Sequence, residues 1–130
     1  MSKQMGDIAE IAFMLRAKQN GLTVLQPYSA ITPYDLIIDN GKKLIKIQVK
    51  STNTNVKKNP NGYKAIIGRG KSSKTKYQKK DVDFFAIYIV RTNAFYIIPF
   101  NAVKTVTLNL YIDKGNHKFS KYLENWNLLK

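Results

Sequence analysis

Asp35, Gln48 and Lys50 are the residues from which chemistry in this chain has to be built. They stand on either side of Asn40-Gly41, the pair most favoured in a two-residue type I′ hairpin loop, and apolar runs flank that pair. Such a loop places Asp39 opposite Lys42, Ile38 opposite Lys43, Leu36 opposite Ile45 and Tyr34 opposite Ile47. Strand side chains alternate, so Tyr34, Leu36 and Ile38 share a largely apolar side, while Asp35, Lys46, Gln48 and Lys50 share the other. Asp35 is then expected directly across from Lys46 and diagonal to Gln48, roughly 7–8 Å away for such neighbours. An acid, an amide and an amine converge on one small area. The plainer reading of the same residues is an Asp35–Lys46 salt bridge on a solvated face, which is worth little.

The element that tips the balance lies upstream. Residues 6–20 carry Ile8, Ile11, Ala12 and Leu15 at helical spacing, and Asn20-Gly21 supplies a C-terminal stop. Asp7 suits the first turn of that helix, where the backbone dipole favours an acid. Glu10 is the one polar side chain between Ile8 and Leu15, with Phe13 and Met14 three and four residues on. A helix apolar nearly all round is expected to be buried nearly all round. A carboxylate there is costly unless it is paired or holds a cation. Its alternative is a dipole-compensating acid at the helix edge.

Hard oxygen donors beside an ammonium suit metal-assisted phosphodiester cleavage, in which a divalent cation is held by carboxylate and carbonyl oxygens. Asp35 offers the carboxylate, Gln48 a neutral oxygen, and Lys50 the ammonium. Glu10 joins them if the helix packs against that face. Other chemistries fit less well. The single histidine, His117, lies in a polar stretch with no acid to orient it, which argues against a Ser/His/Asp triad. Paired-carboxylate glycosidase chemistry sits poorly with the charge of the chain. No G-x-x-x-x-G-K-[ST] run is present, so a phosphate-binding loop of that kind has no support.

Charge identifies the kind of substrate. Twenty-two Lys and Arg against eight Asp and Glu leave a net charge of +14 over 130 residues. Thirteen of the basic residues fall between Lys42 and Lys80, where no acid occurs. That excess points to a polyanion, with nucleic acid favoured over a membrane surface. The segment 53–80, with Lys57, Lys58, Arg69, Lys71, Lys74, Lys76, Lys79 and Lys80, is the expected nucleic-acid-contact segment, joined by Lys46 from the hairpin. The chain lacks cysteine, so disulfides and thiolate metal sites are out and a reducing, cytoplasmic setting is expected. No apolar run is long enough to span a bilayer.

The rest of the chain reads as one α+β (α/β) domain over 1–130, a mixed sheet backed by the first helix. Residues 22–28 form a short strand, 52–62 a loop, and 63–67 a brief strand. The run at 83–90 is apolar throughout and reads as a central strand buried on both faces, followed by a strand at 95–100. Residues 103–111 alternate as a strand. The extension at 101–130 ends in an amphipathic helix from Lys118, with Phe119, Tyr122, Leu123 and Trp126 on one side as core or subunit contact.

Gly6-x-x-x-Glu10 on the first helix, Pro33-Tyr34-Asp35 on the second strand and Gln48-Val49-Lys50 on the third resemble the PD-(D/E)XK, or restriction-endonuclease-like, nucleases. The likeness is nearest to the small branch that holds group I intron homing endonucleases, whose third-strand motif often reads Gln-x-Lys. Holliday-junction resolvases of archaea share the layout. The resemblance implies that Asp35 is a metal ligand, Lys50 the catalytic lysine, Glu10 the helix-one acid, and the Val49 carbonyl a further ligand. It implies Mg2+ as cofactor, with Mn2+ as a substitute, and a homo-oligomer (dimer or tetramer) if both strands of a duplex are to be cut. Gln48 departs from the commoner Asp or Glu: an amide oxygen binds Mg2+ more weakly and cannot accept a proton at neutral pH. Three functions follow: a homing-type endonuclease on double-stranded DNA, a resolvase of the same fold acting on branched DNA, or a non-catalytic basic nucleic-acid-binding protein.

Overall fold

A computed structural model describes residues 3–68, 76–113 and 115–130. The chain begins with helix α1 (Lys3–Gln19) and continues through strands β1 (Thr23–Leu25), β2 (Leu36–Asp39), β3 (Leu44–Thr52), β4 (Asn55–Val56), β5 (Asn59–Ile66), β6 (Phe84–Ile89), β7 (Ala94–Pro99) and β8 (Thr107–Tyr111). A five-stranded sheet has the order β1-β2-β3-β6-β7, and β4-β5-β8 form a second, three-stranded sheet. Among the described residues only β3 and β6 run parallel; the other ladders are antiparallel. Parallel neighbours need a long crossover, and the segment that supplies it contains β4 and β5 of the second sheet.

Two cores follow from strand alternation. Leu36, Ile38, Ile45, Ile47 and Val49 project from β2 and β3 to one side, where they meet Ala9, Phe13 and Ala17 of α1 together with Trp126 and Leu129. Phe85, Ile87, Ile89, Tyr96 and Ile98 project to the other side, against Tyr63, Ala65, Leu108 and Leu110 of the second sheet. The continuous apolar run at β6 is buried on both faces, as its composition predicts.

Several expectations are corrected here. The helix ends at Gln19, and Gly21 adopts φ +78 with its N–H on the Lys18 carbonyl, so the stop signal holds. It starts at Lys3, however, which puts Asp7 in the second turn, paired with Lys3 at 3.3 Å. Its buried face is Ala9, Phe13 and Ala17, not Ile8, Ile11 and Leu15, which are 42%, 62% and 57% exposed. Small residues let the helix lie close on the sheet, so the larger aliphatics are turned outward. The hairpin at Asn40-Gly41 exists, but its register differs by two residues: Asp39 pairs Leu44, Ile38 pairs Ile45, Ile37 pairs Lys46 and Leu36 pairs Ile47. Asn40 Oδ1 accepts the N–H groups of Lys42 and Lys43, and Asp39 Oδ1 accepts that of Gly41. These side-chain bonds stabilise a wider turn than the two-residue loop. A slip of two preserves every face, whereas a slip of one would have inverted them.

Residues expected as loop at 52–62 instead supply β4 and the start of β5, with Lys58 at φ 61 in the turn between them. The expected terminal helix is two 3-10 turns, Ser120–Tyr122 and Trp126–Leu129, separated by Glu124 at φ 51. Phe119 and Trp126 are buried, so they serve the core and not a subunit contact. Glu124 explains the break. Its Oε2 accepts Arg16 Nη1 (2.9 Å) and the Phe95 N–H (2.6 Å), while Oε1 accepts Trp126 Nε1 (2.9 Å). This clasp ties the tail to α1 and β7. Truncating Glu124 to Ala removes three charge-assisted bonds and is expected to lower stability by about 2–3 kcal/mol. Asp7→Ala, which loses one exposed pair, should change stability by under about 0.5 kcal/mol. Urea unfolding of the two variants checks both values.

Candidate active site

The β2–β3 ladder ends at Leu36 opposite Ile47, and Asp35 lies just beyond it. The Asp35 N–H donates to the Ile47 carbonyl at 2.9 Å, one residue off the ladder register. Asp35 Oδ2 accepts the Val49 N–H, also at 2.9 Å. Asp35 therefore bonds to the residues on both sides of Gln48. An off-register strand end of this kind releases a side chain from strict alternation. The carboxylate is consequently not across from Lys46, which pairs with Ile37, and the Asp35–Lys46 salt bridge of the plainer reading is not the arrangement here. Tyr34 likewise leaves the apolar side predicted for it and packs with the second-sheet core.

The helix is on the other side of the sheet from the one expected to bring Glu10 in, since Ala9 and Phe13 cover the Leu36–Ile47 face. Glu10 nevertheless reaches the same place, because Asp35 sits at the end of its strand. Both carboxylates line one open cavity of about 320 Å³, together with Gln26, Pro27, Ser29, Ala30, Thr32 and Tyr34. Burial pushes the Asp35 carboxyl above its ordinary range, and the Val49 N–H and nearby Lys50 offset only part of that. Burial also raises Glu10, followed by repulsion from Asp35 and Asp7, with Lys3 acting the other way. Two carboxylates held against their own ionisation form a site suited to positive charge.

Gln48 and Lys50 are half-buried on β3, on the face that looks toward Phe85 and Ile87 of β6. Lys50 Nζ stands 5.6 Å from the centre of the Tyr77 ring, and Tyr77 itself meets Phe85 edge-on at 5.3 Å. Lys46 Nζ donates to the Lys80 carbonyl and lies 6.0 Å from the Tyr34 ring. Lys79 pairs with Asp83 at 3.0 Å. Asp83 Oδ2 takes the Lys46 N–H; although burial raises its carboxyl, that bond and Lys79 leave it below the ordinary value. Lys57, Lys58, Lys76, Lys79 and Lys80 are exposed, whereas Arg69, Lys71 and Lys74 lie outside the described residues. His117 is remote from this cluster, with its ring 4.5 Å from that of Tyr111.

Glu10 and Asp35 bring carboxylate oxygens to one cavity, whereas Gln48 and Val49 do not line it and meet the site through the Val49 N–H on Asp35. All four offer oxygen donors of the hard kind that a divalent cation takes. Among the described residues no three His, Cys, Asp or Glu side chains converge, so neutral oxygens would have to complete the shell. Sequence reasoning missed the 26–34 loop and Tyr77. Their signals were a proline at either end of an uncharged segment, and a lone aromatic in a basic one.

The profile of the PD-(D/E)XK endonuclease family matches residues 1–129. The bacterial homing endonuclease I-Ssp6803I superposes with a TM-score of 0.84 at 27% identity, over 99% of this chain and 93% of that one. The Holliday junction resolvase Hjc of Archaeoglobus fulgidus gives 0.58 at 11% identity, over 95% and 94% of the two chains. No curated protein matches.

The raised carboxyl of Asp35 has a consequence for the metal-free protein. Stability tied to its protonated form is present below about pH 4 and is lost as pH rises through the folded value. Asp35→Asn keeps an acceptor for the Val49 N–H and removes the charge. In chelator, the variant is expected to melt above wild type at pH 7, with the gap closing toward pH 3. A wild type that melts higher at pH 7 would contradict this account of the carboxylate.

Proposed function

Since the chain belongs to the PD-(D/E)XK endonuclease family, we propose that it is a metal-dependent endonuclease of the homing type, hydrolysing phosphodiester bonds in double-stranded DNA. The observation that carries this reading is Asp35 held on the Val49 N–H, with Lys50 beside it and Glu10 across a shared cavity. I-Ssp6803I, described as a homing endonuclease, supports the same class. The resolvase likeness, at 11% identity, carries the fold and no more.

Glu10, Asp35, the Gln48 amide oxygen and the Val49 carbonyl would hold Mg2+, or Mn2+ in its place. The ion, when bound, would supply charge neutralisation at the phosphate and make a bound water more acidic than bulk water. Asp35 is kept in one orientation by the Val49 N–H, which spares reorganisation during the reaction. Lys50 provides an ammonium to orient the attacking water or hold a phosphate oxygen. Gln48 cannot take a proton, so it serves as a neutral oxygen only. The 53–80 segment, with Lys46, positions the duplex through its phosphates and carries little sequence information itself. Cutting both strands asks for two sites, and a homo-oligomer would provide them. Ile8, Ile11 and Leu15, exposed along one side of α1, are the surface that replaces the C-terminal aromatics for this contact.

Asp35→Ala and Lys50→Ala are each expected to reduce Mg2+-dependent plasmid cleavage by about a hundredfold or more while leaving DNA binding in place. Linear duplex and a four-way junction run alongside the plasmid separate the homing reading from the resolvase reading, and undiminished cleavage by either variant would remove these residues from the site. Gln48→Glu adds a charged ligand and is expected to cut at lower Mg2+ than wild type. Lys57→Ala should reduce the salt slope of binding by about 1 if this lysine meets a phosphate. An unchanged slope would take the β4–β5 turn off the DNA.

A further inference from the structure

We propose that residues 26–34 form a groove wedge: Tyr28 and Ile31 enter the minor groove of duplex DNA beside the scissile phosphate and loosen the adjoining base step. The inference rests on the nuclease reading and adds a contact which that reading does not contain. Tyr28 is 108% and Ile31 90% exposed, while Ile11, the next large apolar side chain, is 62% exposed. A single exposed aliphatic needs no explanation. Here two protrude from one short loop, and the loop's other residues, Gln26, Pro27, Ser29, Ala30 and Thr32, line the cavity that holds Glu10 and Asp35. Tyr28 and Ile31 thus alternate along the loop with residues that line the carboxylate cavity.

The loop is also chemically unlike the surface around it. In a chain of net charge +14 it holds no charged residue from Gln26 to Tyr34. It therefore cannot grip phosphates as ion pairs, and its projecting groups offer little for hydrogen-bond readout of the major groove. Apolar side chains meet duplex DNA at thymine methyls in the major groove or by pressing between base steps from the minor groove, and two bulky groups projecting from one short loop suit the second. The loop is built to hold such groups still. Prolines 27 and 33 fix backbone φ near its two ends. Ser29 Oγ accepts the Ile31 N–H at 3.3 Å, and Thr32 Oγ1 donates to the Tyr34 carbonyl at 2.8 Å. A second copy of the chain seated on these residues would cover the cavity that the phosphodiester must enter, which favours DNA as the occupant.

The test uses the double variant Tyr28→Ala/Ile31→Ala of the full chain. Both side chains are exposed, so its melting temperature should match wild type. The probe is a linear A·T-rich duplex carrying 2-aminopurine, bound in Ca2+ over a KCl series. Wild type is expected to raise 2-aminopurine fluorescence. The double variant should bind about tenfold more weakly, within the range for losing a base-contacting aromatic, with an unchanged salt slope and no fluorescence rise. Unchanged affinity, a shallower salt slope, or a shift in sedimentation of the DNA-free variant would overturn the wedge. The last outcome would assign the loop to self-association. Cleavage of the same duplex by wild type in Mg2+ separates the two readings: cleavage without a fluorescence rise in Ca2+ sinks the wedge alone. Wild type that gives the rise yet cleaves no DNA sinks the nuclease reading alone.

Discussion

The bond from the Val49 N–H to Asp35 Oδ2 is the constraint on which the site depends. It forms because the β2 ladder stops at Leu36, and Asp35 bonds one residue out of step with it. The carboxylate takes up a main-chain donor of β3 at the strand's open end. From that position it lies near Lys50 on one side of the sheet and near Glu10 on the other. Had the strand continued in regular alternation, the helix acid and the sheet lysine would have been divided by a layer of aliphatic side chains.

The surrounding architecture serves that strand end. Ala9, Phe13 and Ala17 seat α1 on Leu36, Ile38, Ile45 and Ile47, which sets the depth at which Glu10 meets the cavity. On the far side Phe85 supports Tyr77, and Tyr77 in turn lies beside the Lys50 ammonium. Glu124 fastens the tail onto Arg16 and the Phe95 N–H, so the helix that carries Glu10 is held from both ends of the chain. The acids are thereby held in a partly buried cavity that raises their affinity for protons, and by the same physics for a cation.

How much of this was legible in the sequence depended on the range of the interactions. The hairpin, its faces and the candidate triplet of Asp35, Gln48 and Lys50 follow from local pattern, and the two-residue error in register left the faces intact. The choice of helix face did not follow, because Ile8, Ile11 and Leu15 are the more hydrophobic set and only close packing selects Ala9, Phe13 and Ala17. The second sheet was hidden in Asn- and Lys-rich segments, where β4 pairs only with β5 and β5 pairs with β8 far along the sequence. The tail defeated helical periodicity through one residue, Glu124, whose partners are all distant or out of helical reach. The off-register position of Asp35 had no signal in the sequence at all.

Paramagnetic broadening of backbone amide signals by Mn2+ tests the central claim most directly, since it locates the cation without asking for turnover. The account predicts that the first signals lost belong to Glu10, Asp35 and residues 48–50, and that Asp35→Asn abolishes the effect there. Broadening centred on Asp81 and Asp83, or unaltered in the variant, would contradict it.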